Sequence, residues 1–223
     1  MSESMKEIFP GIFRKGREIY TINMVPGKKV YGEAILSDVR EYREWNPRRS
    51  KLGAAIAKGI RQVPVRKGTR VLYLGASTGT TVSHISDIVG DEGLVYSVEF
   101  AERVFRELIG VARDRKNIVP ILADARKPAD YGWVEECEIV FCDLAQSDET
   151  EILIRNAAEF LAQGGFVMLS VKSQSIDVTK KPEEVYRQES QKLSHAGFQV
   201  LETIDLEPFE QKHSLILAKR KQD

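Results

Sequence analysis

The sequence predicts an α/β fold: a mostly parallel seven-stranded sheet with helices on both faces, preceded by a small antiparallel β unit. Three observations predict it. From about Asn46 onward, short apolar runs alternate with segments of helical periodicity. The last two runs, Val200 to Ile204 and Ser214 to Ala218, leave no room for a crossover helix, so one strand at the C-terminal end must be antiparallel. Before Asn46, β-type residues are punctuated by Pro10-Gly11 and Pro26-Gly27. The expected units are therefore 1–45 and 46–223.

In the first unit the expected strands are Gly11-Ile12-Phe13, Glu18 to Ile22 and Val30-Tyr31-Gly32. In the second, Asn46-Pro47 reads as an N-cap followed by proline at the first helical position. That helix carries Leu52, Ala55, Ile56 and Ile60. Val71 to Leu74 is a short buried strand, and a Gly-rich turn leads into a helix with Val82, Ile85 and Val89 on one face. Leu94 to Phe100 is the next strand, and Val104 to Ala112 has helical spacing. Ile118 to Leu122 reads as a strand despite Pro120. Ile139 to Cys142 ends at Asp143, a helix covers Glu149 to Leu161, and Gly164-Gly165 turns into Phe166 to Val171. Pro182 to His195 is a helix closed by Gly197.

Composition narrows the class. The chain is 42% hydrophobic and 30% charged, ordinary for a globular protein with a real core. No apolar run approaches the roughly 20 residues that span a bilayer. Met1 to Gly11 is charged and broken by Pro10, unlike a signal peptide, so cytoplasmic residence is expected. Cys137 and Cys142 are spaced to fall on opposite sides of a strand, which disfavours a disulfide, and no Cys/His cluster has zinc-ligand spacing. Lys plus Arg balance Asp plus Glu at 33 each. That argues against a free-standing nucleic-acid binder but admits an enzyme that a partner brings to its RNA.

Chemistry concentrates at the carboxyl ends of the strands, where open α/β sheets bind ligands. Gly75 and Gly79 let backbone approach a ligand, and the helix start after Gly79, with Thr80 and Thr81, suits a carboxylate. The turn lacks the G-x-G-x-x-G pattern, which disfavours a nicotinamide or flavin enzyme. Glu99 ends the second strand, placed for ribose hydroxyls, and Phe100 for packing on an adenine. Asp124-Ala125 ends the third, with Asp124 placed for an adenine amino group. Asp143-Leu144-Ala145-Gln146 ends the fourth. Together these residues point to S-adenosylmethionine and to the Rossmann-like class I methyltransferase plan. No metal is implied.

After the fourth strand the chain has neither an amino-methyltransferase Pro-Pro motif nor a Pro-Cys loop, so a hydroxyl acceptor is the better reading. A hydroxyl needs a base aligned for in-line attack. Lys172 at the end of the fifth strand is expected to position and deprotonate it. Lys51 would tune that lysine, and Asp143 would orient the amine and the methyl donor.

At these residues the sequence resembles fibrillarin. The resemblance covers nearly the whole chain, through Glu44 to Leu52, Leu72 to Thr81, Asn117 to Leu122 with Asp124-Ala125, Asp143 to Gln146, Lys172 to Thr179 and Leu206 to His213. It implies a catalytic set of Lys51, Asp143, Lys172 and His213, with cofactor contacts at Thr80, Thr81, Glu99, Phe100, Asp124, Ala125, Asp143 and Gln146. It leaves His84 and His195 structural. It further implies 2′-O-methylation of rRNA or tRNA guided by a box C/D RNA, with a Nop-type scaffold protein and a kink-turn-binding ribosomal-type protein as partners. No Gly/Arg-rich N-terminal extension is present, as in the archaeal form. Cys142, Ser147 and Gln174 depart from the family pattern, where an acid, proline and arginine are usual. Other readings are an O-methyltransferase acting on a small molecule, a cofactor-binding scaffold without turnover, and an NAD-dependent oxidoreductase.

Overall fold

A computed structural model describes residues 4–221. The outer ends of the units expected at 1–45 and 46–223 therefore lie outside the described residues. The chain forms two sheets. The first contains β1 (Lys6–Phe9), β2 (Ile12–Lys15), β3 (Glu18–Ile22), β4 (Ile35–Ser37) and β5 (Glu41–Glu44), all antiparallel, in the order β1-β2-β3-β5-β4. The second contains β6 (Arg70–Leu74), β7 (Leu94–Glu99), β8 (Ile118–Leu122), β9 (Cys137–Cys142), β10 (Leu161–Lys172), β11 (Phe198–Asp205) and β12 (His213–Arg220). Its order is β11-β12-β10-β9-β6-β7-β8, and β12 runs antiparallel to both its neighbours.

This order places a site. The chain builds outward from β6 to β7 and β8, then restarts on the other side with β9 and β10. The direction of build-up reverses between β6 and β9, where such sheets open a crevice. Pro120 is tolerated because β8 is an edge strand paired only with β7.

Among the described residues six α-helices cover the large sheet: α1 (Lys51–Lys58), α2 (Thr80–Val89), α3 (Glu102–Asp114), α4 (Glu149–Phe160), the single turn α5 (Ser173–Ile176) and α6 (Pro182–His195). Leu52, Ile56, Val82, Ile85 and Leu108 pack on one face together with Ile12, Ile19 and Trp45 from the small-sheet region. Ile152, Leu153, Val185 and Leu193 pack on the other. Fully burying each such aliphatic side chain contributes about 1.5–3 kcal/mol.

Four expectations need correction. Val30-Tyr31-Gly32 is not a strand: the Glu33 carboxylate accepts the Val30 and Tyr31 N–H groups at 2.9 and 2.8 Å, and Gly32 sits at φ +87°. The first helix does not start at Asn46-Pro47. Asn46 Oδ1 instead accepts the Arg48 N–H at 2.9 Å in a turn, and Ser50 caps α1 through the Gly53 N–H at 3.2 Å. Ile60 lies beyond that helix, which closes at Gly59. Finally, both cysteines pack into the same core layer, because pairing at the start of β9 is irregular; both are free and buried.

Candidate active site

Gly75 follows β6 at φ +86°, and a Cβ there would lie 2.6 Å from the Asp143 carbonyl oxygen. Only glycine lets the β6 turn and the end of β9 approach so closely. The Asp143 N–H donates to the Leu74 carbonyl at 2.9 Å, locking the two ends together. Between them and the ends of β7 and β8 lies a cavity of about 330 Å³. Gly75, Glu99, Phe100, Asp124, Ala125, Asp143, Leu144, Ala145 and Gln146 line it, as the sequence predicts. Gly79, Thr80 and Thr81 do not line it and instead form the start of α2. The Thr81 hydroxyl is turned away, donating to Ser50 Oγ at 3.0 Å.

The lining suits a nucleoside-bearing ligand. Phe100 is 64% exposed, a bare aromatic face beside the cavity. Glu99 is buried and accepts the Ser77 and Ala101 N–H groups at 2.8 Å each, which leaves lone pairs for two hydroxyls. The amide oxygen of Gln146 is buried and has no donor among the described residues.

The catalytic candidates gather on the β9–β10–β12 side. Lys51 Nζ lies 3.4 Å from Asp143 Oδ1, at the mouth of the cavity. Asp143 Oδ2 accepts the Tyr73 hydroxyl at 2.9 Å. Leu169 stands opposite Cys142, so Lys172 lies two residues farther along than Asp143, roughly 7 Å at the strand rise. Lys172 and His213 are directly paired across β10 and β12. His213 Nδ1 donates to the Gln211 carbonyl at 2.7 Å, which leaves Nε2 as the acceptor of a neutral ring. The expected pairing of Asp143 with Lys172 is replaced by one with Lys51, which reaches over from α1.

The fibrillarin family model matches residues 1–222. The chain belongs to the fibrillarin family. It is 47% identical to the fibrillarin-like rRNA/tRNA 2′-O-methyltransferase of Pyrococcus abyssi, covering 99% of this chain and all of that one. Aeropyrum pernix fibrillarin, whose structure holds natively bound S-adenosyl-L-methionine, superposes with a TM-score of 0.89 at 45% identity, covering 98% of each chain. A fibrillarin in complex with Nop5p superposes with a TM-score of 0.89 at 40% identity, covering 97% of this chain and all of that one.

Electrostatics divide the roles open to the residues of this fibrillarin-family site. The attraction of Asp143 outweighs burial and raises the Lys51 ammonium above its ordinary range. Lys51 is therefore a fixed cation, not a base. Burial, then Asp143, push the Tyr73 hydroxyl well up, so it stays a neutral donor. Burial also pushes the Cys142 thiol well up and Cys137 to about 12, which removes both as nucleophiles. His84 is structural: it lies buried between Thr21 and Tyr31 at 2.8 Å each, stacked on Trp45. Burial, then Arg43, hold its pKa well below the usual value.

Sequence reasoning missed Tyr73, Ser50 and Glu149. Tyr73 had one usable signal, a phenol in the otherwise aliphatic run Val71 to Leu74 just before the Gly turn. The motif blocks around Lys51 and His213 prove to be neighbours: Arg48 and Lys58 donate to the Pro208 and Glu207 carbonyls at 3.2 and 2.7 Å.

Proposed function

We propose that this chain catalyses RNA-guided ribose 2′-O-methylation of rRNA or tRNA with S-adenosylmethionine, as the catalytic subunit of a box C/D ribonucleoprotein. The observation that carries the reading is that Lys51, from the start of α1, meets Asp143 at the end of β9, with Lys172 and His213 paired at the adjoining strand ends beside the Glu99–Phe100–Asp124 cleft. The cofactor assignment is supported by the bound molecule in Aeropyrum pernix fibrillarin, and the scaffold partner by the fibrillarin/Nop5p complex. A guide RNA, a kink-turn-binding ribosomal-type protein and the target RNA complete the proposed assembly. The units 1–45 and 46–223, and cytoplasmic residence, belong to the same proposal.

When bound, the cofactor supplies an electrophilic methyl group. Glu99 receives the ribose hydroxyls, Phe100 packs on the adenine and Asp124 accepts its amino group. The start of α2, with Gly79, Thr80 and Thr81, would offer its backbone N–H groups to the carboxylate, while the Thr81 hydroxyl stays with Ser50. Leu144, Ala145 and Gln146 close the floor beside Gly75. Lys51 and Tyr73 hold Asp143 in place, and Lys172 orients the 2′-hydroxyl and accepts its proton. His213 is a second proton acceptor at the same strand pair, favoured by its donated Nδ1 hydrogen and free Nε2.

The test is methyl transfer from labelled S-adenosylmethionine to targets carrying 2′-OH or 2′-deoxy at one position, with and without guide, scaffold and kink-turn protein. Transfer confined to the assembled complex and the 2′-OH target is expected. Transfer by the chain alone, or equal labelling of the 2′-deoxy target, would overturn the reading of the acceptor. Lys172→Met is expected to lower single-turnover transfer about 100-fold or more; turnover unchanged at saturating substrate would move the base to His213.

A further inference from the structure

Glu149 opens α4, directly beyond the turn that carries Asp143 to Gln146. It is fully buried, and neither carboxyl oxygen has a hydrogen-bond partner among the described residues. The backbone N–H groups of Gln146 and Lys172 face it without reaching hydrogen-bond geometry. One side chain thus stands between the turn after β9 and the end of β10, the two segments bearing Asp143 and Lys172.

Its charged surroundings give no partner. Asp143, just past β9, faces it, and Cys142 on β9 donates its thiol to the Glu149 carbonyl oxygen at 3.6 Å. From α6 comes another carboxylate, Glu189, already bonded to Thr150 at 2.6 Å and to Lys192 at 3.1 Å. Asp148, the residue just before α4, is paired with Arg126 at 2.9 Å. Lys51, the cation whose charge it feels across the site, is engaged by Asp143 at 3.4 Å. An ionised Glu149 would be a buried charge without a counter-ion, beside two other carboxylates. The helix start favours the anion, but that effect is small against full burial. Burial pushes the carboxyl up to about 9.

We infer that Glu149 is a positioning residue, a neutral carboxylic acid that braces the Gln146 turn against the Lys172 strand end and sets the spacing of Asp143 and Lys172. The amide oxygen of Gln146 is buried without a donor, and the Glu149 O–H is the donor this turn lacks. A neutral carboxylic acid offers one donor and one acceptor in the shape of a primary amide, so glutamine is its conservative replacement. This inference rests on the proposed roles of Asp143 and Lys172.

The test compares wild type, Glu149→Gln and Glu149→Ala in two ways. Infrared difference spectra of the free full chain read the protonation state: a carboxylic-acid carbonyl band at pH 7.5 is expected in wild type and absent from Glu149→Gln. Single-turnover transfer by the assembled complex reads the bracing. Glu149→Gln is expected within about threefold of wild type at pH 7, with Glu149→Ala at least tenfold slower and cofactor affinity changed less than the rate. Between pH 7 and 9.5 the Glu149→Gln rate should gain severalfold on wild type as the wild-type acid ionises. No acid band, a Glu149→Gln variant as impaired as Glu149→Ala, or a flat rate ratio would each overturn the inference. If Glu149→Ala fails to fold, the band and the rate ratio decide alone. A wild-type complex that transfers nothing would sink the proposed function, while the band still judges the state of Glu149.

Discussion

Asp143 is held from two sides, by the Lys51 ammonium at 3.4 Å and the Tyr73 hydroxyl at 2.9 Å. The two contacts differ in what their loss leaves behind. A phenylalanine at 73 keeps the ring packing but removes a donor to a charged acceptor, an interaction worth about 1.5–3 kcal/mol. Tyr73→Phe should therefore slow single-turnover transfer about tenfold, with cofactor affinity within about threefold, since Tyr73 does not line the cavity. A change in affinity alone would remove Tyr73 from the positioning of Asp143. At the same scale, Glu149 makes stability depend on pH. Its folded pKa, about 9, lies above the ordinary carboxyl value, so between about 4.5 and 9 the folded state holds a proton that the unfolded state has lost. Stability from this group therefore falls as pH rises through that window. Glu149→Gln should melt higher than wild type at pH 8, by on the order of 5 °C, with the gain shrinking as pH drops towards 5. A pH-independent difference would mean the carboxyl is already ionised. Neither residue stood out in the sequence, because a buried phenol or acid acquires its role only when strand pairing brings a partner to it.

The elements of the large sheet were legible because each strand is an apolar run and each helix has an apolar stripe, and the order of strands and helices follows from the alternation. The small sheet was only partly legible. β5 reads Glu-Tyr-Arg-Glu, and nothing in that composition says strand. Arg43 is buried there because Glu33 and Asp87 meet it at 2.6 and 2.7 Å, partners 10 and 44 residues away. Asp87 on α2 also takes Arg115 at 2.5 Å, so one carboxylate joins the small sheet to two elements of the large domain. Removing that charge leaves the buried Arg115 without a carboxylate and Arg43 with Glu33 alone, a loss of about 3–5 kcal/mol. Asp87→Asn should lower the melting temperature by on the order of 10 °C. An unchanged melt would mean that solvent reaches the cluster and the two sheets are held by apolar packing alone.

At the scale of the whole molecule, the site was legible wherever it consists of acids and glycines at strand ends, because topology alone sends those ends to one edge. It was not legible in how Lys51 reaches Asp143, since that depends on α1 starting at Ser50 and on Arg48 and Lys58 tying its ends to the 207–208 backbone. The charge balance, 33 basic against 33 acidic residues, gives the chain no net attraction for RNA. A chain without net positive charge is expected to release few counterions on binding a nucleic acid, so on the proposed function affinity for RNA is expected to come from the assembly rather than from this subunit. Fluorescence anisotropy with a guide–target duplex, across a salt series, should show weak binding by the free chain with a shallow dependence of log Kd on log salt. The assembled complex should bind tightly with a steep one. Tight, steeply salt-dependent binding by the free chain would mean that its basic residues form a concentrated patch, and that partners are needed for placement but not for affinity.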